Sequence, residues 1–349
     1  MNKTITLYTL FIFRTIVQLI RLNFITIIRS RHHTQPCSNY YQGFKMAFKR
    51  HSSFTPAPSE DSKLWRYMSL PKFLSLIQQN SLFMGNLERM AQEDKFEGVL
   101  PYGNFVHREW SSVTDAPKSV VDKLKMNVIY HKTGDLHACL ENYKEVRELR
   151  IRQAYAHRRS YFINCWHLNE YESLAMWDIY SRKDEGIAIV SSESNFIGAF
   201  ADLRQDIFGG VVKYADYDCP NFTIDVDNGF NSIIHKRASY DYEREYRLVF
   251  WDTEVTHKYI PTQAVKFGSN GEGSLSFGRA SIGRSEEEIE NIEPKVSFDA
   301  KCDLNKLINE IYVSPSAPSW FFDIVNNIVK KYEVNVPVNQ SKLTNDPLR

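Results

Sequence analysis

Apolar residues recur along the chain with two periods, and each period predicts a different kind of element. Residues 70–80 have apolar side chains at 70, 73, 74 and 77, the spacing that puts them on one face of a helix. Short aromatic and aliphatic runs are typical of strands, and they cover residues 64–68, 81–85, 161–167, 186–192, 208–217, 243–251 and, with a turn, 310–318. Helical patterns alternate with them and cover residues 117–158, 172–182, 231–242 and 319–331. This alternation favours an α+β fold, with a central mixed, twisted sheet and surrounding helices, over a doubly wound parallel sheet.

The segment 161–192 contains the most regular succession of elements, a buried strand, a helix and a second strand. Its helix is predicted to turn four side chains towards the core: Leu174, Met176, Trp177 and Tyr180. An aromatic side chain buries roughly 150–250 Å2, so this segment supplies a large share of the core. We therefore expect Trp166, Met176 and Trp177 to be mostly buried.

The composition is that of an ordinary globular protein, because 43% of the residues are hydrophobic and 24% are charged. This excludes disorder over most of the chain. The five cysteines include no CxxC pair, which argues against a disulfide framework and against a zinc site with local ligand spacing. We therefore expect a reducing compartment, a cytoplasmic location and no bound metal.

Charge is distributed unevenly along the chain. Residues 1–50 carry eight basic residues and no acidic one, so the rest holds 35 basic against 42 acidic residues, a balance of −7. A mildly acidic body repels phosphate backbones. This excludes general nucleic-acid binding by the body and leaves only local basic patches.

The N-terminal segment is apolar but interrupted by charges. Residues 4–28 are rich in Ile, Leu, Phe and Thr, and they contain Arg14 and Arg21. The longest uncharged run is therefore too short for a bilayer, which takes about 20 apolar residues. Three explanations compete: an interfacial amphipathic helix or signal-anchor, an organelle presequence, or a start codon assigned upstream of Met46. Membrane contact is expected only if this segment is part of the mature protein.

A linker separates this segment from the rest of the chain. Residues 51–62 (HSSFTPAPSEDS) are polar and contain two prolines, a composition typical of a linker. We therefore predict an N-terminal extension and linker over residues 1–60, disordered or wrongly assigned, that does not belong to the folded body. A single globular domain is predicted over residues 61–340.

Five segments form a set that occurs in a fixed order: LWRYMSLPKFLSLIQQNSLFMGN, EDKFEG, CWHLNEYESLAMWDIYSRKDEGIAIVSS, YEREYRLVF and LINEIYVSPSAPSW. Together they are spread over residues 64–320 and resemble the bacterial domain-of-unknown-function family 2971. Family members usually read Asn-Asp-Pro-Phe-Glu at the second segment, where this chain reads Glu93-Asp94-Lys95-Phe96-Glu97. The family is largely uncharacterised, so this resemblance implies an architecture more than an activity.

The order of elements also resembles the ADP-ribosyltransferase superfamily. The shared features are a first strand with an Arg followed by a helix and a strand, an aromatic central segment, and Glu-x-Glu on a late strand. The resemblance implies that Arg66 holds the phosphates of NAD and that Tyr180 contacts the nicotinamide half. It also implies that Glu245 steadies the cationic transition state while Glu243 orients the acceptor or a water.

The late strand carries a row of charges whose chemistry can be read directly. Glu243 and Glu245 lie two residues apart, so they are predicted to share one side of the strand. Two close carboxylates repel, which raises the pKa of one and suits it to stabilise a cation or move a proton. Arg247 continues the same face, where it either binds the cofactor or neutralises both acids. The planar guanidinium of Arg66 matches the oxygens of a diphosphate. Its alternative role is a charge at the end of a strand, paired with an acid.

Two functions therefore remain open. The first is NAD-dependent ADP-ribosyl transfer to a macromolecular target in stress or phage defence, with NAD as the substrate. The second is a non-catalytic interaction or ligand-sensing domain in which the polar row serves only the fold. An enzyme predicts that Arg66 and Glu245 line one cleft, about 10–12 Å apart, with Tyr180 on its wall. A binding module predicts that Glu243, Glu245 and Arg247 pair with one another.

Overall fold

The computed structural model describes residues 46–343 except 93, 182–183, 227, 260–262, 268–272, 278–286, 289–290 and 294. The predicted N-terminal segment up to residue 45 lies outside these residues. Ten strands of the described part form one sheet with parallel and antiparallel neighbours, and helices pack against both of its faces. The α+β prediction is therefore confirmed. Within the same residues, every helix is too short or too polar to cross a bilayer.

The strands belong to one large sheet and two small ladders. The large sheet contains β1 (Phe48–Lys49), β2 (Leu64–Ser69), β3 (Ser81–Asn86), β4 (Tyr161–Leu168), β5 (Gly186–Ser191), β6 (Ile207–Val211), β9 (Glu245–Trp251), β12 (Ser297–Lys301), β13 (Glu310–Val313) and β14 (Val338–Gln340). The small ladders are β7 (Lys213–Ala215) with β8 (His235–Arg237), and β10 (Gln263–Phe267) with β11 (Gly273–Phe277). Eight strands of the large sheet follow the order β1-β6-β9-β4-β2-β5-β13-β14, while β3 pairs with β4 and β12 pairs with β3.

The helices of the described part are mostly short, and α5 is the longest of those named here. They are α1 (Leu70–Gln79), α2 (Leu87–Met90), α3 (Lys118–Lys125), α4 (Val128–Thr133), α5 (Leu136–His157), α6 (Leu174–Tyr180), α7 (Glu193–Ala199), α8 (Thr253–Tyr259), α9 (Leu304–Leu307) and α10 (Ser319–Lys331). Side chains cap several of them: Asp135 accepts from two N–H groups at the start of α5, and Ser173 accepts from Met176 at the start of α6. Such caps satisfy N–H groups that a helix end leaves without a partner.

The sheet forks along one edge of β4. Residues 167–168 at one end of β4 pair with residues 64–65 of β2, and residues 162–163 at the other end pair with residues 85–86 of β3. Residues 164–166 pair with neither strand on that edge, although their other edge pairs along its length with β9. We call the opening between β2 and β3 beside residues 164–166 the fork.

The two faces of the sheet carry separate cores. The first face, which includes Leu64, Trp166 and Leu248, packs against α1, α7, α9 and α10. The second face carries Trp65 and Tyr67 beneath α6, with a further apolar cluster over the outer part of β4 and β9. Because neighbouring strands keep their register, a side chain can be assigned to a face from its partner across the ladder.

The central segment forms a strand, a helix and a strand as predicted, and its large side chains are core. Trp166 and Trp177 are each 2% exposed and Met176 is 1% exposed, which confirms their predicted burial. Two other predicted core residues are not buried: Leu174 is 52% exposed and Tyr180 is 45% exposed. The helix α6 has only seven residues and lies on the surface of the sheet, so one narrow face of it reaches Trp65 and Tyr67.

The predicted boundary at residue 60 is wrong for residues 46–60. Phe48 and Phe54 are 4% and 6% exposed, and β1 pairs in parallel with β6 at the end of the sheet. The N–H of Ala57 donates to Oε1 of Glu193 at 2.7 Å. The prolines disfavour a helix here but allow an extended chain. Burial of the rings of Phe48 and Phe54 against the sheet then stabilises this segment.

Candidate functional site

Four of the five predicted site residues meet in one hydrogen-bonded group: Tyr180, Glu243, Glu245 and Arg247. The strand β9 supplies Glu245 and Arg247, both on the second face of the sheet. Glu243 comes from the turn before β9, and Tyr180 is the last residue of α6. The structure therefore brings Tyr180 and Arg247 into one group, although 67 positions separate them in the sequence.

The chain turns sharply between the two glutamates. The segment Ala238–Glu243 is a 3-10 helix and β9 begins only at Glu245, so the two residues do not share a strand as predicted. Arg244 between them has φ 42°, in the left-handed region that residues other than glycine rarely adopt. Its N–H donates to the carbonyl of Asp241 at 3.0 Å, which stabilises the turn. The turn still directs both carboxylates to one cation, Lys236.

Arg247 is the centre of the group and is 0% exposed. Its Nη1 and Nη2 donate to both oxygens of Glu97, at 2.6 and 2.9 Å, and its Nε and Nη2 donate to both oxygens of Glu245. Nη1 also donates to the carbonyl of Ile233 at 2.6 Å. Five bonds occupy the five N–H groups of a guanidinium. Arg247 therefore has no donor left for a phosphate, contrary to its predicted role in binding a cofactor.

Lys236 lies among three carboxylates. Its Nζ is 2.6 Å from Glu243, 3.4 Å from Glu245 and 3.8 Å from Glu97. Burial by itself would lower the pKa of Lys236, but the three negative charges outweigh it and raise the pKa above its ordinary value. We call Glu97, Lys236, Glu243, Glu245 and Arg247 the charge cluster; with three acids and two bases it carries one excess negative charge.

Glu245 is ionised at the centre of this network. Burial alone would raise the pKa of its carboxyl group, but the charges of Arg247 and Lys236 lower it to about 2. The prediction that repulsion raises the pKa of one glutamate does not hold for Glu245, because the two nearest charges are positive. Glu245 is 3% exposed, so its charge faces protein rather than solvent.

The cluster reaches the surface at Tyr180. The hydroxyl of Tyr180 donates to Oε1 of Glu243 at 2.7 Å, and the ring is 45% exposed. Burial of the hydroxyl and the charge of Glu243 raise the pKa of Tyr180, so the hydroxyl stays protonated and keeps donating. Behind it, burial and the negative charge of Glu245 raise the pKa of Cys165, so its thiol stays neutral beside that carboxylate.

Arg66 approaches the same place from the other side of β4. Its partner across the ladder is Ile189, which belongs to the first face, whereas Glu245 belongs to the second. The Nη1 of Arg66 donates to the carbonyl of Cys165 at 2.8 Å, in the fork. Cys165 thus accepts from Arg66 through its carbonyl, while its side chain lies on the same face as Glu245 and Arg247. The two predicted residues flank one cysteine, and no hydrogen bond joins them in the described part of the chain.

Sequence reasoning missed two members of the charge cluster, Glu97 and Lys236. Glu97 is the second glutamate of the segment EDKFEG and was named only as part of a resemblance. Lys236 was hidden by the predicted helix over 231–242, where the structure has a 3-10 turn, the short strand β8 and a second 3-10 turn. Neither position carried a clear signal in the sequence, because Lys236 stands between His235 and Arg237 and Glu97 stands between Phe96 and Gly98.

Comparisons with known proteins add no family and no relative. No protein-family model, no curated protein and no solved structure matches this chain. Among the residues that the structure describes, no group of three or more His, Cys, Asp or Glu side chains is arranged to hold a metal ion. The function is therefore inferred from the geometry of the charge cluster and the fork.

Proposed function

We propose that this chain is a non-catalytic, ligand-sensing domain of the family 2971 type, in which the charge cluster holds the fold. The pairing of Glu245 carries the proposal. A carboxylate that stabilises a ribosyl cation has to face the sugar with its charge available. Glu245 is instead buried, and Arg247 binds both of its oxygens.

The energy of the pair supports the same conclusion. Turning Glu245 towards a substrate would leave Arg247 with fewer acids in a site that is 0% exposed. Removing one partner of a buried ion pair costs about 3–5 kcal/mol. A catalytic cycle that breaks this pair at each turnover is therefore disfavoured, whereas a permanent pair stabilises β9 against β8 and the loop at Glu97.

We place the domain in the cytoplasm. The described cysteines Cys139, Cys165, Cys219 and Cys302 are free thiols, which fits a reducing compartment. The excess of acidic residues in the body repels a phosphate backbone. It therefore fits a small ligand or a protein partner better than a nucleic acid.

ADP-ribosyl transfer is the second candidate, and one contact favours it. The hydroxyl of Tyr180 meets Glu243 at the surface, so an aromatic ring and a carboxylate lie side by side where a nicotinamide riboside could approach. In that case Glu243 rather than Glu245 would face the sugar. The target would be a macromolecule, in stress or phage defence.

The two candidates differ in whether the parent releases nicotinamide from NAD and in the effects of Glu243→Gln and Glu245→Gln. The full chain is incubated with NAD while nicotinamide release and the melting temperature are measured. We expect no nicotinamide release from the parent and a loss of several degrees in the Glu245→Gln variant, because the amide keeps the shape but leaves Arg247 undercompensated. Glu145→Gln is the matched control, since Glu145 is exposed on α5. Nicotinamide release by the parent that disappears in Glu243→Gln at an unchanged melting temperature would establish the transferase instead.

A further inference from the structure

The outward face of α6 is mostly apolar. Met176 and Trp177 pack on the sheet, so four other positions of the helix lie on the opposite side. Three of these four are apolar and exposed, namely Leu174, Ala175 and Ile179, and the two larger side chains are 52% and 51% exposed. A helix at the surface normally turns polar residues outwards. The outward face of α6 is therefore a candidate contact surface.

Three exposed tyrosines extend this apolar face beyond both ends of the helix. Tyr171 precedes α6 and is 79% exposed, and Tyr180 ends α6 and is 45% exposed. Tyr242, which precedes Glu243 in the chain, is 48% exposed. Monomeric proteins rarely leave such a group of large apolar side chains uncovered without a binding function. We call the following residues the α6 surface: Tyr171, Leu174, Ala175, Ile179, Tyr180 and Tyr242.

Hydrogen bonds at two places join the two segments that form this surface. Nη1 of Arg244 donates to Oδ1 of Asn169 at 3.2 Å, and Nδ2 of Asn169 donates to the carbonyl of Tyr171 at 2.9 Å. The hydroxyl of Tyr180 donates to Oε1 of Glu243 at 2.7 Å. Residues 169–180 and 240–244 are therefore neighbours on the second face of the sheet, and their exposed side chains belong to one surface.

The α6 surface lies in an acidic part of the chain. Residues 169–185 and 240–244 contain seven acidic and three basic residues, a balance of −4. Asp178 is exposed on the outward face of α6 itself. Beneath Tyr180, the charge cluster has one excess negative charge, and Glu243 is its most exposed acid at 8%. A cation from another molecule can compensate this charge.

Two tyrosine rings beside Glu243 offer such a cation a second attraction. Burial and the charge of Glu243 raise the pKa of both Tyr180 and Tyr242, which fits the position of both hydroxyl groups near that carboxylate. The face of an exposed tyrosine ring attracts an ammonium or a guanidinium group. The protein makes this contact itself, because Nζ of Lys236 lies 4.6 Å from the ring centroid of Tyr240, which stacks on Tyr242.

The charge of the surface disfavours three other occupants. A nucleic acid or an anionic bilayer would be repelled by the excess of carboxylates. A second copy of this chain, placed across a two-fold axis, would bring the same acidic surface against itself. A basic segment of a different protein is attracted by the carboxylates, and its aliphatic side chains can cover Leu174 and Ile179.

We propose that the α6 surface is a docking site for a basic, amphipathic segment of a partner protein. A lysine or arginine of that segment lies against Tyr180 and Tyr242 beside Glu243, and its aliphatic side chains cover Leu174 and Ile179. This inference rests on the proposed function, because it names the class of ligand that a non-catalytic sensing domain would detect.

Calorimetric titration of the full chain with three matched synthetic peptides tests the proposal. The first is a short amphipathic peptide of leucine and lysine, the second has glutamate in place of each lysine, and the third has serine in place of each leucine. We expect the leucine–lysine peptide to bind at least about tenfold more tightly than either of the others, because each of them lacks one property that the surface recognises. Its binding should weaken as the salt concentration rises, because exposed charges are screened.

Two pairs of variants locate the binding. Tyr242→Ala should weaken binding of the leucine–lysine peptide about fivefold, as expected for a lost cation–π contact, and Ile179→Ser should do so by a similar factor. Trp320→Ala and Ile324→Ser are the controls and should bind as the parent does. Trp320 and Ile324 are 54% and 40% exposed on α10, which packs on the first face of the sheet. Thermal unfolding shows whether each variant is folded.

Hydrogen exchange gives a second measurement that needs no variant. The leucine–lysine peptide should slow exchange in residues 169–180 and 240–244 and leave exchange in α10 unchanged. The proposal is overturned if this peptide does not bind, or if either of the other two peptides binds as tightly. It is also overturned if Tyr242→Ala and Ile179→Ser bind as the parent does, if the controls weaken binding as much, or if exchange slows only elsewhere.

A failure of the proposed function would be seen in a different assay. Nicotinamide release from NAD by the parent would refute the non-catalytic function, and the peptide titrations would still decide the docking site, since Ile179 and Tyr242 lie outside the charge cluster. Absence of peptide binding would refute the docking site and leave the structural role of the charge cluster to the Glu245→Gln measurement.

Discussion

Arg247 shows how a single buried charge can organise its surroundings. Its five N–H groups make five hydrogen bonds, to Glu97 and Glu245 from distant parts of the chain and to the carbonyl of Ile233. Removing either acid would leave the guanidinium without that partner in a site that is 0% exposed, so the pairs stabilise the positions of Glu97 and Glu245. The hydroxyl of Tyr180 extends the same network through Glu243. At the scale of residues, the charge cluster is therefore one unit rather than a set of separate pairs.

Glu97→Gln tests whether the missed glutamate is part of that unit. Glu97 is 2% exposed and binds Arg247 through both oxygens, so the change should lower the free energy of unfolding by about 3–5 kcal/mol. Glu88→Gln is the control, because Glu88 pairs with Arg159 while half exposed and such a pair contributes about 0–1 kcal/mol. Urea unfolding followed by circular dichroism measures both. Equal effects of the two changes would contradict a buried network.

The helix α6 is positioned by its packing on the sheet rather than by its own stability. It has seven residues, too few for a stable isolated helix, and is held by the Ser173 cap and by Trp177 against Tyr67. The rings of Trp177 and Tyr67 meet edge to face with centroids 5.0 Å apart. The indole N–H of Trp177 also donates to Glu172 at 3.1 Å. Packing on the sheet therefore decides the position of Tyr180 at the end of this helix.

Trp177→Ala should cost about 3–5 kcal/mol of stability, the range for an aromatic residue removed from a core. Leu174→Ala in the same helix should change stability by less than about 0.5 kcal/mol, because Leu174 is 52% exposed. Thermal and urea unfolding of both variants give the comparison. A Trp177 variant as stable as the Leu174 variant would mean that α6 does not pack on Trp65 and Tyr67.

The whole molecule depends on a sheet that begins before the predicted domain. Residues 46–57 cover β6 and bring two phenylalanines into the core. At the opposite end β14 closes the sheet by pairing in parallel with β13. The two ends of the eight-strand path, β1 and β14, are therefore short strands, which limits the backbone that could pair with another chain there.

Two truncations separate the contribution of residues 46–60 from that of residues 1–45. A chain that begins at Met46 should keep the melting temperature of the full chain, as the sequence predicts. A chain that begins at Asp61 loses Phe48 and Phe54 and should be less stable by about 3–6 kcal/mol, at roughly 1.5–3 kcal/mol for each buried ring. Scanning calorimetry of the three proteins gives the result. Equal melting temperatures for the two truncated chains would restore the predicted boundary at residue 60.

Local pattern was sufficient for the strands and helices of the central segment. Trp166, Met176 and Trp177 are buried because the periods of strand and helix are set by neighbouring residues. The resemblance to the ADP-ribosyltransferase superfamily selected Tyr180, Glu243 and Glu245, and the row of charges added Arg247; these four residues do meet. The chain near Glu243 was predicted less well, because a 3-10 turn with Arg244 in the left-handed region has no clear signal in the sequence.

The sequence by itself determined the fold class, the core of the central segment and the presence of a charged row before and along β9. Only the tertiary structure decided that Glu97 and Lys236 complete the charge cluster, that Arg66 lies on the other face of the sheet, and that residues 46–60 belong to the body. Glu97 and Arg247 are 150 positions apart. Periodicity tells which side of its own strand a residue takes, but the register between distant strands decides which charges meet, and that register depends on the packing of the whole chain.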